Sequence, residues 1–293
     1  TAGVERHNRL WESRAFALGM TQALFIRRVG AENLRTAAQG GEQLPALLSE
    51  LLGRPDLLEK FALTLKVEDD ATEALRVWAR LAADDTPAQL GRYDNLQIAC
   101  ALVFDQPLRW SRFDGGEACS ADALTRYRYF KTATEAGRLV GDVRKAPPGD
   151  LVWVVGATAT EDEMSWALAN PKLRSLSEWS PSYGLIRYRM DYVTQEKTKL
   201  AKPTEGTLKE IFELGGICMH QAHFAANTAR AFGLTQAKIV LRYALRLAIV
   251  PTISVIAMGL GSILSSAVFV ETVFSRPGLG TLITGAVFKR NYP

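Results

Sequence analysis

From Leu247 to Val270 the chain runs 24 residues without a charged side chain, LAIVPTISVIAMGLGSILSSAVFV. An α-helix rises 1.5 Å per residue, so this run covers roughly 36 Å, enough to cross the ~30 Å hydrocarbon core of a bilayer with some tilt. In lipid a single segment must satisfy its own backbone, which commits the run to a helix. Gly259, Gly261, Ser262, Ser265 and Ser266 are small residues suited to close helix packing, and Pro251 near the start is tolerated in such helices. Lys238, Arg242 and Arg246 precede the run and Glu271 follows it at once. The excess of basic residues predicts a cytoplasmic N-terminal region, although Arg276, Lys289 and Arg290 pull against that orientation. The next apolar run, Leu279–Phe288, is too short to cross.

The remainder of the chain has another character. Of 35 basic and 31 acidic residues, all but four precede Leu247. The mean hydropathy of −0.02 is therefore the mean of two unlike pieces. With 47% hydrophobic residues the chain is neither disordered nor collagen-like. A net charge of +4 without a long Lys/Arg run argues against a nucleic-acid partner. Cys100, Cys119 and Cys218 are too widely spaced to suggest a disulfide framework or a CxxC metal pair. Thr1 to Arg14 is polar, unlike a signal peptide, and the lack of an initial Met or of a polar tail after Tyr292-Pro293 predicts a fragment at both ends.

Helical periodicity dominates from Asn8 to about Val103. Leu10, Ala17, Leu18, Thr21 and Leu24–Phe25 recur at three- and four-residue steps, and Leu44–Leu52, Asp56–Val67, Ala71–Ala83 and Asn95–Phe104 continue the pattern. These stripes are expected to face a helical core. Ala121–Gly137 is a further helix. Beyond Ala146-Pro147-Pro148-Gly149, the run Leu151–Val155 reads as a short strand closed by Gly156. Thr160 with Glu163 forms a capping box for a helix over Glu161–Ala169, which Pro171 stops. Ser182–Val193 is β-compatible, and Gln195–Gly206 is a polar linker.

Leu214-Gly215-Gly216-Ile217-Cys218 then leads into a helix with apolar positions Ala222, Ala225, Ala226 and Ala229. Cys218 falls in its first turn, where unpaired N–H groups and the helix dipole favour a thiolate. As a metal site, Cys218, His220 and His223 stand at i, i+2 and i+5, spread around the helix; the expectation is a structural cysteine with two exposed histidines, and no metal or cofactor. GGICMHQAHFAANTARAFG, with SPSYGLIRYRMDYVT and VWVVGATATEDEMSWAL upstream, resembles the bacterial transglutaminase-like superfamily over Leu151–Gly233. The resemblance implies an α+β fold with Cys218 as nucleophile, followed by a His base and an orienting Asp on later strands. The only histidines are His7, His220 and His223, and no Asp or His follows His223. A nucleophile without its base is not expected to be a competent enzyme.

TARAFGLTQAKIVLRYALRLAIVP, followed by SAVFVETVFSRPGLGTLITGAVFKRNYP, resembles the inner-membrane permease subunit of dipeptide/oligopeptide-type ABC importers over Asn227–Pro293. By that resemblance Ala229, Arg230, Ala231 and Gly233 open the cytoplasmic coupling loop that docks on the ATPase subunit. The helix containing Pro251 lines the translocation path, and Glu271, Pro277, Gly278 and Gly280 begin the external loop before the last helix. The implied partners are an ABC ATPase subunit, a second permease subunit and membrane lipid. The family has about six spans and this chain shows one, and one helix cannot enclose a path.

Both resemblances meet on Thr228-Ala229-Arg230-Ala231-Phe232-Gly233, which predicts a chimera joined there. The expected fold is mainly α with a small β part. It comprises a helix-rich soluble region over 1–145, a partial transglutaminase-like region over 146–233, and a partial permease segment over 227–293 with its transmembrane helix at about 247–270. The expected function is a partial permease component of an ABC-type peptide importer in the bacterial inner membrane, inactive alone. The alternative is a membrane-anchored transglutaminase-like cysteine transferase or peptidase acting through Cys218.

Overall fold

The computed structural model describes residues 2–39, 43–112, 118–174, 185–189, 206–241 and 245–289. They form two compact units, Thr1–Ile239 and Val240–Pro293.

The first unit is a helical assembly. Helices α1 (Ala2–Val29), α2 (Ala31–Ala38), α3 (Gln43–Leu52), α4 (Pro55–Thr64), α5 (Ala71–Ala82) and α6 (Asp94–Val103) enclose a core in which Phe61 stacks on Trp78 at 5.2 Å and meets Phe25 at 5.8 Å. The starts are set locally. Pro55 occupies the first turn of α4, and the Asp70 carboxylate accepts the N–H groups of Thr72 and Glu73 to open α5. A short antiparallel hairpin follows, β1 (Arg109–Ser111) with β2 (Ala118–Ser120), with Trp110 opposite Cys119. Helix α7 (Ala123–Glu135) starts on the Asp122 cap. Helices α8 (Pro148–Val155), α9 (Glu161–Ala169) and α10 (Pro171–Arg174) follow, then α11 (Leu208–Leu214), α12 (Cys218–Ala231) and α13 (Gln236–Ile239). The described residues are thus mostly helical, with this one small sheet and one candidate membrane helix.

Two sequence expectations are corrected. Leu151–Val155 is not a strand but the body of α8. Pro148 presets the first turn, and Leu151, Val154 and Val155 are all fully buried, a helical i, i+3, i+4 face that packs on α6; the face outweighs the strand propensity of Val and Trp. The stripe on α1 faces the core only in its last turns: Leu10 and Ala17 are exposed, Leu18, Thr21 and Leu24 half-buried, and Phe25 and Val29 buried. The hairpin and α11 were not anticipated. The hairpin strands are only three residues each and α11 only seven, too short for a periodic signal. Of the expected Ser182–Val193 strand only 185–189 is described, where Tyr188 makes a single parallel bridge to Gly216; the rest, and Gln195–Glu205 of the linker, lie outside the described residues.

The second unit is a helical hairpin. Helix α14 (Leu245–Val273) has 29 residues and α15 (Leu279–Phe288) has 10. Within α14, Ile253–Glu271 is long and apolar enough to cross a membrane, and none of that window is buried.

Candidate functional site

Cys218 opens α12 and is exposed. The paired glycines before it serve a close backbone approach. Gly216 N–H donates to the Arg187 carbonyl at 3.0 Å, and Arg189 N–H donates back to the Gly216 carbonyl at 3.0 Å. Gly215 has φ +80°, and a Cβ there would lie 2.4 Å from the Arg187 oxygen. The Arg189 guanidinium adds a bond to the Leu214 carbonyl at 3.0 Å.

The two histidines are not the exposed pair expected. His220 is buried and turns back on its own helix, its Nδ1 accepting the Ile217 N–H at 3.3 Å, the service a Glu or Gln performs in a capping box. His223 is half-buried, its Nδ1 lying 3.1 Å from Asn227 Nδ2. Burial, opposed by the Glu163 carboxylate and reinforced by His220, Arg230 and Arg112, pushes the His223 imidazole down to about 4, so it is neutral at pH 7. Among the described residues no hydrogen bond reaches Cys218 Sγ. Both histidines that share its helix are engaged in holding the helix.

A polar cluster that the sequence did not reveal surrounds this helix. Glu163 closes the capping box on Thr160, accepts Arg112 Nη1 at 3.0 Å and Nη2 at 3.4 Å, and accepts the Leu208 N–H at 3.0 Å. Arg112 Nε donates to Cys119 Sγ at 3.0 Å. One carboxylate therefore ties the hairpin, α9 and α11 together. Only the Thr160–Glu163 spacing was legible beforehand. Asn227 Oδ1 accepts the Thr158 N–H at 2.8 Å, fastening α12 to the turn between α8 and α9. That turn is gripped by two arginines. Arg126, fully buried, donates to the carbonyls of Val155, Ala157 and Ala159 and to Glu161. Arg230 lies over the Trp153 ring at 4.5 Å and donates to the Gly156 carbonyl at 3.2 Å. Desolvation and the Arg126 charge lower the Arg230 guanidinium below its usual value.

The structure also places the residues assigned to ATPase coupling. Ala229 and Ala231 are buried in the core of the first unit, and Arg230 is half-buried. The Ala231 carbonyl accepts the Tyr129 hydroxyl at 3.0 Å, and the Phe232 carbonyl accepts the N–H groups of Val140 and Gly141. Gly233 has φ +71°, and a Cβ on Gly141 would fall 1.7 Å from its carbonyl oxygen. Helix α12 runs unbroken through Thr228–Ala231.

In the second unit the expected loop residues form one construction. Glu271 is still within α14, and its Oε2 accepts the N–H groups of Gly280 at 2.7 Å and Thr281 at 3.1 Å. A carboxylate at a helix N-terminus meets unpaired donors and the positive end of the dipole. Gly278, the residue at the N-cap position, has no side chain to do this, and a Cβ there would lie 2.3 Å from Glu271 Oε1. A Cβ on Gly280 would lie 2.7 Å from Val268 Cα. The Gly-Leu-Gly spacing thus lets α15 start directly against α14. Pro277 is exposed in the connection; the side chain of Pro251 lies outside the described residues.

Residues 225–293 match the family described as binding-protein-dependent transport system inner membrane component. The dipeptide transport system permease protein DppB of Escherichia coli (strain K12) is 44% identical over 67 residues, which is 23% of this chain and 20% of that protein. The di/tripeptide transport system permease protein DppB of Pseudomonas aeruginosa (strain UCBPP-PA14) gives the same identity over the same shares. The glutathione transport system permease protein GsiC of Escherichia coli (strain K12) is 39% identical over 67 residues, 23% of this chain and 22% of that protein. The chain spans about a fifth of the length of these curated relatives. No solved structure matches.

Proposed function

We propose that this chain is a partial permease component of an ABC-type peptide importer, inserted in the bacterial inner membrane through α14 with its N-terminal region in the cytoplasm. The observation that carries the reading is the coincidence of the permease match with the Glu271–Gly280 construction, in which Glu271, Gly278 and Gly280 of the matched segment each have a structural task. In this reading α14 contributes one wall of a path, with Pro251 near its start and Glu271, Pro277, Gly278 and Gly280 shaping the connection to α15. The other walls come from further permease helices, because a single apolar helix leaves both lumen and lipid faces open. In the same reading Ala229, Arg230, Ala231 and Gly233 belong to the segment that couples to the ATPase subunit; both alanines are buried and Arg230 is committed to Trp153 and the Gly156 carbonyl, so they hold that segment in place rather than present it.

The test is purification of the tagged full chain from bacterial membranes together with co-expressed ATPase and partner permease subunits. The expected result is detergent-dependent extraction and co-purification of both. Partition into the aqueous phase without detergent, or isolation of the chain alone, would overturn it. Reporter fusions at the N-terminus and after Phe288 test the orientation separately.

A second reading keeps cysteine chemistry at Cys218. Its support is the exposure of that thiol in the first turn of a 14-residue helix. Iodoacetamide reaction at neutral pH much faster than that of free cysteine would favour it, and an ordinary rate would end it. The proposal that two sequences are joined within Thr228–Gly233 is tested by reading the source DNA across the codons for Ala226–Leu234. A continuous read removes a mistaken joining and leaves recombination.

A further inference from the structure

The permease match and the fold divide the chain at different places. The match begins at residue 225, whereas the first compact unit continues to Ile239. Residues 225–239 therefore belong to both. Where they end α12, the fold has already used what they would offer a partner. Ala229 and Phe232 are 1% exposed, and Ala231 and Leu234 are 0%. The backbone is used as well. Gly233, at φ +71°, stops the helix: its N–H returns to the Arg230 carbonyl, and the Leu234 N–H returns to the Ala229 carbonyl. The Ala231 carbonyl accepts the Tyr129 hydroxyl of α7, and the Phe232 carbonyl accepts the N–H groups of Val140 and Gly141. Each carbonyl from Ala229 to Phe232 is thus bonded within the first unit.

We propose, resting on the coupling role assigned to these residues under the permease reading, that the first unit sequesters the coupling segment. An ATPase subunit then docks on residues 229–233 only after this end of α12 has left its place against α7, Val140 and Gly141. A partner that needs these side chains meets a surface that does not carry them, and it binds only the fraction of molecules in which the segment is open. The two states compete. Whatever holds the segment closed weakens the ATPase, and bound ATPase opens the segment by the same factor.

This competition reverses the usual sign of a mutation. Removing a contact that closes the segment tightens the partner, although the altered residue never touches that partner. It also reverses the usual sign of protection. Val140 and Gly141 lose their acceptor when the segment leaves, so a bound partner exposes these amides instead of covering them.

The test titrates the detergent-solubilised full chain with the ATPase subunit of a peptide importer, without a partner permease that could bring it in. Tyr129→Phe takes the hydroxyl from the Ala231 carbonyl and keeps the ring. It is expected to tighten ATPase binding roughly tenfold, the effect of one buried carbonyl left without its donor in the closed form. Excess ATPase is expected to speed amide exchange at Val140 and Gly141 in the parent chain. Equal affinity in parent and Tyr129→Phe, with exchange at both amides unaltered, would overturn the sequestration and leave the permease reading standing. No ATPase binding even to Gly141→Ala, whose Cβ would collide with the Gly233 carbonyl and displace the segment, would overturn the coupling role itself and the sequestration with it.

Discussion

The Glu271 carboxylate accepts the Gly280 amide at 2.7 Å, so α15 is capped by a residue of the preceding helix and not by its own N-cap. The bond closes a tight hairpin in which Gly280 lies against Val268. Glu271→Ala should free the Gly280 and Thr281 amides at a cost of about 1 kcal/mol, a typical cap value. Hydrogen exchange in micelles should show roughly fivefold faster exchange at both amides, with partial retention in Glu271→Gln. Equal protection in the alanine variant would show that the cap contributes nothing.

Arg126 carries the turn between α8 and α9. Its removal leaves the carbonyls of Val155, Ala157 and Ala159 and the Glu161 carboxylate without their donor. Arg126→Met should destabilise the first unit by roughly 3–5 kcal/mol, the cost of breaking a buried charged network from one side. Arg126→Lys should recover little, because an ammonium cannot reproduce the planar fork that reaches several acceptors at once. Denaturant unfolding followed by tryptophan emission measures both.

Asp85 collects three donors: Tyr127 Oη at 2.7 Å, Lys131 Nζ at 2.9 Å and Gln97 Nε2 at 2.9 Å. Gln97 in turn accepts Trp78 Nε1 at 3.1 Å, so the network joins the segment after α5 to α6 and α7. Burial and the neighbouring Asp85 carboxylate push the Tyr127 phenol well above its usual value, and it stays protonated as a donor. Asp85→Ala should cost about 2–4 kcal/mol through the unsatisfied donors left behind. In a double-mutant cycle with Lys131→Met the two changes should cost less together than the sum of each alone, by about 1 kcal/mol. Strict additivity would separate Lys131 from the network.

His223 gives the first unit a pH dependence with a defined sign. Its folded value, about 4, lies below the unfolded value of about 6.5, so the unfolded chain binds more protons between them. Its contribution is fully present above pH 6.5 and is lost as pH falls toward 4, with a slope approaching 1.4 kcal/mol per pH unit. Melting temperatures across this range should fall for the parent chain and fall less steeply for His223→Gln. The same slope in both would assign the effect to other groups.

Gly141 tests how the Thr228–Gly233 phrase is held. Gly141→Ala would place a Cβ 1.7 Å from the Gly233 carbonyl oxygen, a distance no side-chain adjustment relieves. Loss of the cooperative unfolding transition of the first unit is expected, whereas Gly149→Ala, with nothing within 4 Å, should be nearly neutral. An unchanged transition in Gly141→Ala would mean the end of α12 packs elsewhere.

The helices were legible where the sequence carried periodicity, as over Leu44–Leu52, Asp56–Val67 and Ala71–Ala83, or a capping signal, as at Thr160 with Glu163 before α9; the Asp70 cap of α5 emerged only in the structure. Leu151–Val155 was misread because a short apolar run has no period of its own; the Pro148 start and the α6 face decided it. At the candidate site, the position of Cys218 at a helix start could be read from its glycines. The roles of His220 and His223 could not, because each depends on whether a neighbour offers a donor or removes water. The Arg112–Glu163–Cys119 cluster joins residues dozens of positions apart and leaves no local trace.

The sequence alone determined that a charge-free run must be a helix, because a backbone in lipid can bond only to itself, and that the resemblance to the permease family lies at the C-terminal end. It also set most helix boundaries, which depend on caps a few residues away. Only the tertiary structure decided which stripes are covered and which histidine is buried. It alone showed that Glu271 caps a helix nine residues on, and that the shared phrase after Asn227 is locked into the first unit. Those outcomes depend on distances between residues far apart in the chain, which no local pattern encodes.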